Sequence, residues 1–265
     1  MPAIPTPDTP YSAFNREERN AVATLYALLF HRDNLAEFGD LFGTGGLTFD
    51  DVDTEVFVEF AYLRDLWHQH PELETRRRII LAAVQPDDAA ELETCDPRTF
   101  NRRFGVAGPI SSDHIQSPQR WGVTQLHETL RLDTGEPLSN SELLDACRFK
   151  WSFNIKPDLV VLYGRNRALC VEAKLESGIS SYPTTAAEKS IFDERGLDRV
   201  SQLDVQRHMF DRLLERRTTY GLLSRTGTAP HPALTGVSWA RLLTALDASG
   251  MPPFIQRWVT QMIQP

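Results

Sequence analysis

Cysteine is scarce in this sequence: Cys95, Cys147 and Cys170 are the only three in 265 residues. An odd count at wide spacing argues against a disulfide framework and fits a reducing compartment. There is no CxxC pair and no Cys/His cluster to build a zinc site. Long hydrophobic runs are missing too. None approaches the roughly 20 apolar residues that cross a bilayer, so no membrane partner is expected. The opening MPAIPTPDTP has no basic region followed by an apolar stretch, unlike a signal peptide. A soluble, cytoplasmic protein is the expectation. Positive charge is also short. Lys and Arg number 28 against 36 Asp and Glu, a formal net charge of −8, which argues against a nonspecific, basic nucleic-acid coat. Local basic clusters can still grip phosphates on an acidic chain. No Gly-x-Ser-x-Gly elbow or Cys-His arrangement points to acyl transfer. Gly43-Thr44-Gly45-Gly46 lacks the lysine of a phosphate-binding loop and follows no strand, so it reads as a helix stop. His68 and His70, two apart on a helix, diverge and make poor joint metal ligands.

The chain has enough apolar residues, 41%, for a full core. Four prolines within the first ten residues predict an extended arm over 1–14. The segment 15–140 reads as mostly helical. Asn15 is placed to cap a helix through AVATLYALLFH, with Glu17 and Glu18 in its first turn, where the helix dipole favours acids. A second helix fits 35–42 and stops at the glycine turn. A longer amphipathic helix fits 51–69, where Val56, Phe57, Phe60, Leu63 and Leu66 recur at helical spacing. Pro71 ends it, and ELETRRRIILAAV forms the next. The stretch WGVTQLHETLRL (121–132) reads as a strand, 133–137 as a turn, and SNSELLDACR as a capped helix.

The character changes over 141–265. IKPDLVVLY (155–163) and ALCVEAKL (168–175) are apolar and rich in β-branched residues, joined by a short polar turn: a β-hairpin. Helix over 198–216, a strand at TTYGLLS (218–224), and two closing helices, SWARLLTALDAS and PPFIQRWVTQMI, follow. Glu172 and Lys174 are two apart on a strand and share a face. Charges on so apolar a strand are costly to bury unless they pair or bind a metal. Asp158 begins the neighbouring strand. It shares their face only if the hairpin is centred on Arg165, which requires a loop with an odd number of residues. The loop Gly164-Arg165-Asn166, with Asn166 left-handed, satisfies this, as does a bulge near Asp158. A two-residue loop at Arg165-Asn166 would pair Asp158 with Ala173 and split the carboxylates between faces.

Pro157-Asp158 followed by Glu172-Ala173-Lys174 resembles the signature of the PD-(D/E)XK nuclease superfamily, and the resemblance covers about residues 150–224. It implies an α/β, restriction-endonuclease-like fold: a mixed central sheet flanked by helices, here with a mostly helical N-terminal half. It implies a Mg²⁺-dependent nuclease acting on phosphodiester bonds of DNA, with Mn²⁺ as a substitute, in defence or DNA processing. Asp158 and Glu172, with the Ala173 carbonyl, would be the metal ligands, and Lys174 a catalytic residue. Gln202 and Gln206 lie on the following helix, where some members carry a supporting glutamine; Gln202 is taken as the catalytic candidate. The further acid that the family often draws from an earlier helix would be Glu18, then Glu142, then Glu128. Among the basic clusters Arg76-Arg77-Arg78, Arg102-Arg103 and Arg216-Arg217, and the turn arginines Arg165 and Arg167, the candidates for nucleic-acid contact are Arg102, Arg103, Arg165 and Arg167. A homodimer or partner subunit would reconcile DNA binding with the acidic balance. The alternative is a catalytically silent binding or assembly module of the same fold.

Overall fold

The computed structural model of the chain describes residues 17–176 and 178–263. The expected arm at 1–14 and the proposed cap Asn15 lie outside these residues. The described helices, in chain order, begin with α1 (Glu18–Leu29), α2 (Asn34–Leu41), α3 (Tyr62–Gln69), α4 (Leu73–Val84), α5 (Ala89–Thr94) and α6 (Pro97–Arg103). They continue with α7 (Val123–Glu128), α8 (Asn140–Ser152), α9 (Ala186–Glu194), α10 (Gln202–Arg207), α11 (Trp239–Ala245) and α12 (Pro253–Ile263). The strands are β1 (Glu55–Val58), β2 (Leu159–Tyr163), β3 (Arg167–Ala173), β4 (Ser181–Tyr182), β5 (Val200–Ser201), β6 (Arg217–Ser224) and β7 (Thr235–Ser238). The protein is α/β, with a five-stranded mixed sheet in the order β1-β2-β3-β6-β7. β2 pairs antiparallel with both β1 and β3, and β6 pairs in parallel with both β3 and β7.

The chain divides into two compact units, each discontinuous in sequence. The first gathers the chain up to Phe60 with Lys156–Gly178 and everything from Arg216 on; the second is Ala61–Ile155 with Ile179–Glu215. Residue 140, where the sequence suggests a boundary, opens α8 inside the second unit.

In the first unit the alternation of the central strands decides which residues enter the core. Leu159, Val161 and Tyr163 of β2 and Leu169, Val171 and Ala173 of β3 point to one face, against Leu25 and Leu28 of α1, Phe38 of α2, Phe42, and Trp239 and Leu242 of α11. Val160, Ala168, Cys170 and Glu172 point the other way and are also buried. A sheet buried on both faces needs near-continuous apolar strands. Gly221 on β6 is required by a close approach: a Cβ there would lie 2.5 Å from the Phe42 ring.

The second unit is held by aromatic packing and capped helices. Phe104 stacks on Trp121 at 4.8 Å between centroids, and Trp121, Phe149 and Phe153 continue the cluster. Asp96 caps α6 by accepting from the Arg98 and Thr99 amides, and Ser139 with Glu142 forms a full capping box on α8.

Several expected elements change. The stretch read as one helix over 51–69 is β1, then a break at Glu59–Ala61, then α3. Val56, Phe57 and Phe60 match a helical period by coincidence; sheet pairing with β2 prevails there, because β propensity is won through packing. The expected strand at 121–132 is the short helix α7, flanked by the bridges Val106↔Trp121 and Leu130↔Pro137. The first strand of the sheet is therefore β1. The 198–216 helix begins with β5 and ends in a π-helical turn, His208–Leu213.

That turn carries a titratable group. His208 is buried, and its Nε2 has no hydrogen-bond partner among the described residues. Burial, and then the charge of Arg212, push its pKa down to about 4, while Asp145 pulls the other way. The unfolded value is near 6.5, so the stability tied to neutral His208 is complete above 6.5 and is lost as pH falls toward 4. His208→Gln, which cannot charge, is expected to lose less stability between those two pH values than the wild type, by on the order of 2 kcal/mol. Denaturant unfolding at both pH values checks this; parallel losses would place the acid sensitivity elsewhere.

Candidate active site

The hairpin register puts the signature residues on one face. β2 and β3 pair Leu159↔Val171 through Tyr163↔Arg167, which leaves the odd loop Gly164-Arg165-Asn166. One step beyond Leu159↔Val171, Asp158 stands opposite Glu172. The left-handed loop residue is Gly164, at φ +54°, and not Asn166. Glycine carries no Cβ and adopts this conformation at no steric cost, so it takes the position ahead of asparagine.

The end of β3 is pinned from three sides. The Lys174 N–H donates to the Leu223 carbonyl of β6 at 2.7 Å, and the Lys174 carbonyl accepts from the Trp239 indole at 3.1 Å. Strand alternation turns the Ala173 N–H and carbonyl the other way, toward β2. The Ala173 N–H donates to Asp158 Oδ2 at 2.8 Å. The Leu175 N–H donates to Glu18 Oε1 at 3.0 Å, across 157 residues of chain. Nothing local in the sequence marks Trp239 as a partner of Lys174; this contact comes from the packing of α11 beside β3.

Glu18, Asp158, Glu172 and Lys174 are thus brought together within the first unit. Lys174 Nζ lies 2.6 Å from Glu172 Oε1 and 3.5 Å from Glu18 Oε2. The Glu172 side chain is 1% exposed, that of Lys174 14% and that of Glu18 24%. Burial, and next the charge of Glu172, push the Asp158 carboxyl up to about 7, against the Ala173 N–H and Lys174, which favour its charged form. For Lys174, burial works against the ammonium, but Glu172 first, then Asp158 and Glu18, outweigh it and hold the pKa above its ordinary value. Three carboxyl groups around one ammonium leave the cluster electron-rich in a poorly solvated place.

Such an imbalance is offset by pairing with the ammonium, by protonation of a carboxyl or by a bound cation. Among the described residues no group of three or more His, Cys, Asp or Glu side chains is arranged to hold a metal ion. A cation held here would have to keep several of its waters and take only one or two carboxylates.

The other expected site residues fall elsewhere. Gln202 opens α10 and Gln206 is buried on it, both in the second unit. Glu142 is spent in the α8 capping box and lies 3.6 Å from Arg103, and Glu128 ends α7; both also belong to the second unit. Arg165 and Arg167 are exposed at the hairpin tip, roughly 17 Å or more along β3 from Glu172. Arg167 lies over the Tyr163 ring at 4.6 Å. Arg102 is exposed, but Arg103 is not offered to a ligand: its side chain is 2% exposed and grips Asp88 through two 2.7 Å bonds. Arg77 is buried likewise, bonded to the carbonyls of Leu92 and Cys95. No helix among the described residues is long and apolar enough to cross a membrane. No family model, no curated protein and no solved structure matches the chain.

Proposed function

We propose that the protein is a metal-dependent nuclease of the PD-(D/E)XK kind that hydrolyses phosphodiester bonds in DNA. The observation that carries this reading is the convergence of Glu18, Asp158, Glu172 and Lys174 at the ends of α1, β2 and β3. The mixed sheet, with its antiparallel hairpin followed by a parallel strand, supports a restriction-endonuclease-like arrangement. In this reading Asp158 and Glu172 would hold Mg²⁺ or Mn²⁺, with the Ala173 carbonyl, turned to the β2 side, as a further donor. The bound ion would supply Lewis acidity and a more acidic attacking water. Lys174, kept charged by its three acidic neighbours, would orient that water and offset charge building on the scissile phosphate. Glu18 keeps the ammonium in place and ties the chain after β3 to α1. A defence or DNA-processing role is an analogy from fold. The acidic balance suits an enzyme that borrows part of its grip on DNA from a second copy or a partner subunit.

The 2.6 Å Lys174–Glu172 contact equally suits a structural ion pair, the hallmark of a silent module of the same fold. Cleavage of supercoiled and linear DNA with Mg²⁺ or Mn²⁺, by wild type beside Asp158→Asn and Lys174→Ala, separates the two. Metal-dependent cutting lost in both variants supports the enzyme; a wild type that neither cuts nor binds Mn²⁺ favours the module.

Proton linkage adds a quantitative test. Because the metal-free Asp158 carboxyl titrates at about 7, binding a cation there must release its proton. Apparent Mn²⁺ affinity is expected to fall roughly tenfold for each pH unit below 7. Calorimetry in buffers of differing ionisation enthalpy would read the released proton. An affinity flat from pH 5 to 8 would mean that the metal displaces no proton from a group titrating in that range.

A further inference from the structure

Glu59 follows β1 with φ +50°, in the left-handed region where a side chain stores backbone strain. Three contacts hold it there. Its N–H donates to the Asp158 carbonyl at 3.2 Å. Its carboxylate meets Arg19 Nε at 2.6 Å and Lys156 Nζ at 3.2 Å. Arg19 is the chain neighbour of Glu18, and Lys156 lies two residues before Asp158. The two acids stand 158 − 18 = 140 residues apart in sequence, and Glu59 touches the immediate surroundings of both.

Stability does not account for a glutamate at this position. The Arg19 side chain is 76% exposed and those of Glu59 and Lys156 are 35% each, and ion pairs that reach water contribute little. Glycine would relieve the backbone at no steric cost. We propose that Glu59 is a positioning residue: it locks the first turn of α1 to the start of β2 and so sets where the Glu18 and Asp158 carboxyl groups stand around Lys174. Its purpose rests on the nuclease reading; its action on the geometry does not, and the two are tested apart.

Two amides report the carboxyl groups directly, because Ala173 N–H donates to Asp158 and Leu175 N–H to Glu18. In full-length, metal-free Glu59→Gly, amide exchange followed by NMR is expected to be about tenfold faster or more at Ala173 and Leu175. Leu169 and Val171, deeper in β3, keep their protection, and the melting temperature does not fall. DNA cleavage by the same variant drops about tenfold or more in kcat, since small misplacements at a reacting centre are costly, with KM little changed. Unchanged exchange at Ala173 and Leu175 would overturn the positioning role whatever the variant does to DNA. So would a lower melting temperature with all β3 amides accelerating together, which would make Glu59 a stability residue. Faster exchange at those two amides alone, in a protein whose wild type neither binds Mn²⁺ nor cuts, would keep the positioning role and sink the nuclease reading.

Discussion

Asp158→Asn is expected to abolish metal-dependent cleavage while leaving the metal-free protein at least as stable as the wild type. The two effects share one cause. Asp158 sits where a charge is poorly solvated and faces Glu172, so its pKa in the folded chain is about 7, against an unfolded value near 3.9. A raised pKa means the folded state prefers the protonated carboxyl. The associated stability is complete below pH 4 and is lost as pH climbs through 7. Asparagine has the shape of the protonated acid, can still accept from the Ala173 N–H, and never charges. The variant should therefore match the wild type near pH 4 and exceed it at pH 8 by on the order of 4 kcal/mol. On the proposed nuclease reading it would also withdraw an anionic metal ligand. Losing the several kcal/mol that a metal gives a transition state corresponds to a rate loss of about 10³-fold or more. Lys174→Ala has the opposite stability signature. It leaves Glu172, 1% exposed, without the ammonium 2.6 Å away, and breaking a buried pair from one side costs about 3–5 kcal/mol. Rate assays on Lys174→Ala thus need an unfolding curve beside them, whereas Asp158→Asn is free of that confusion. Full cutting by Asp158→Asn would show that the reaction does not pass through this cluster.

The hairpin was legible because its demands are local. Strand alternation makes an odd loop, or a bulge, the condition for Asp158 to stand opposite Glu172, and β2 and β3 pair in the odd-loop register. The mistake at the turn was equally local: Gly164 and Asn166 both tolerate φ above zero, and the sequence does not rank them by position. Glu18 came within reach of the site through a weaker signal, an acid in the first turn of the first helix. β1 was hidden because four residues are too few to show a period, and Val56 with Phe57 and Phe60 imitate a helical stripe. With β1 misread, Glu59 could not be seen as the neighbour of Asp158, since its contacts to Arg19 and Lys156 cross between distant parts of the chain. Arg103 departs from the expectation for a different reason. Adjacent arginines in sequence say nothing of which one turns inward, and in the pair Arg102-Arg103 the two go opposite ways.

That pair yields the second large effect. Arg103→Ala is expected to destabilise the protein by about 3–5 kcal/mol, and Arg102→Ala by less than about 0.5 kcal/mol. Asp88 is fully buried, takes both parallel bonds from Arg103, and accepts the Leu132 N–H at 2.8 Å. The guanidinium also lies 3.6 Å from Glu142 Oε1 and 5.6 Å from the centre of the Phe104 ring. One buried pair therefore joins the segment before α5, the end of α6, the chain after α7 and the start of α8. Removing Arg103 strands the Asp88 carboxylate in a site water does not reach, and the cost is that of the orphan rather than of the bond. The double variant Asp88→Leu/Arg103→Met, which removes both charges and keeps apolar volume, should recover most of the loss. Denaturant unfolding of the three variants decides between the roles open to Arg103. A residue that grips phosphate would leave the unfolding midpoint alone and weaken DNA binding, with a shallower dependence on salt. A residue that holds the second unit together would shift the midpoint sharply and be rescued by the apolar pair. The geometry at Asp88 requires the second result, so any loss of DNA binding in Arg103→Ala should vanish when it is measured on the fraction still folded.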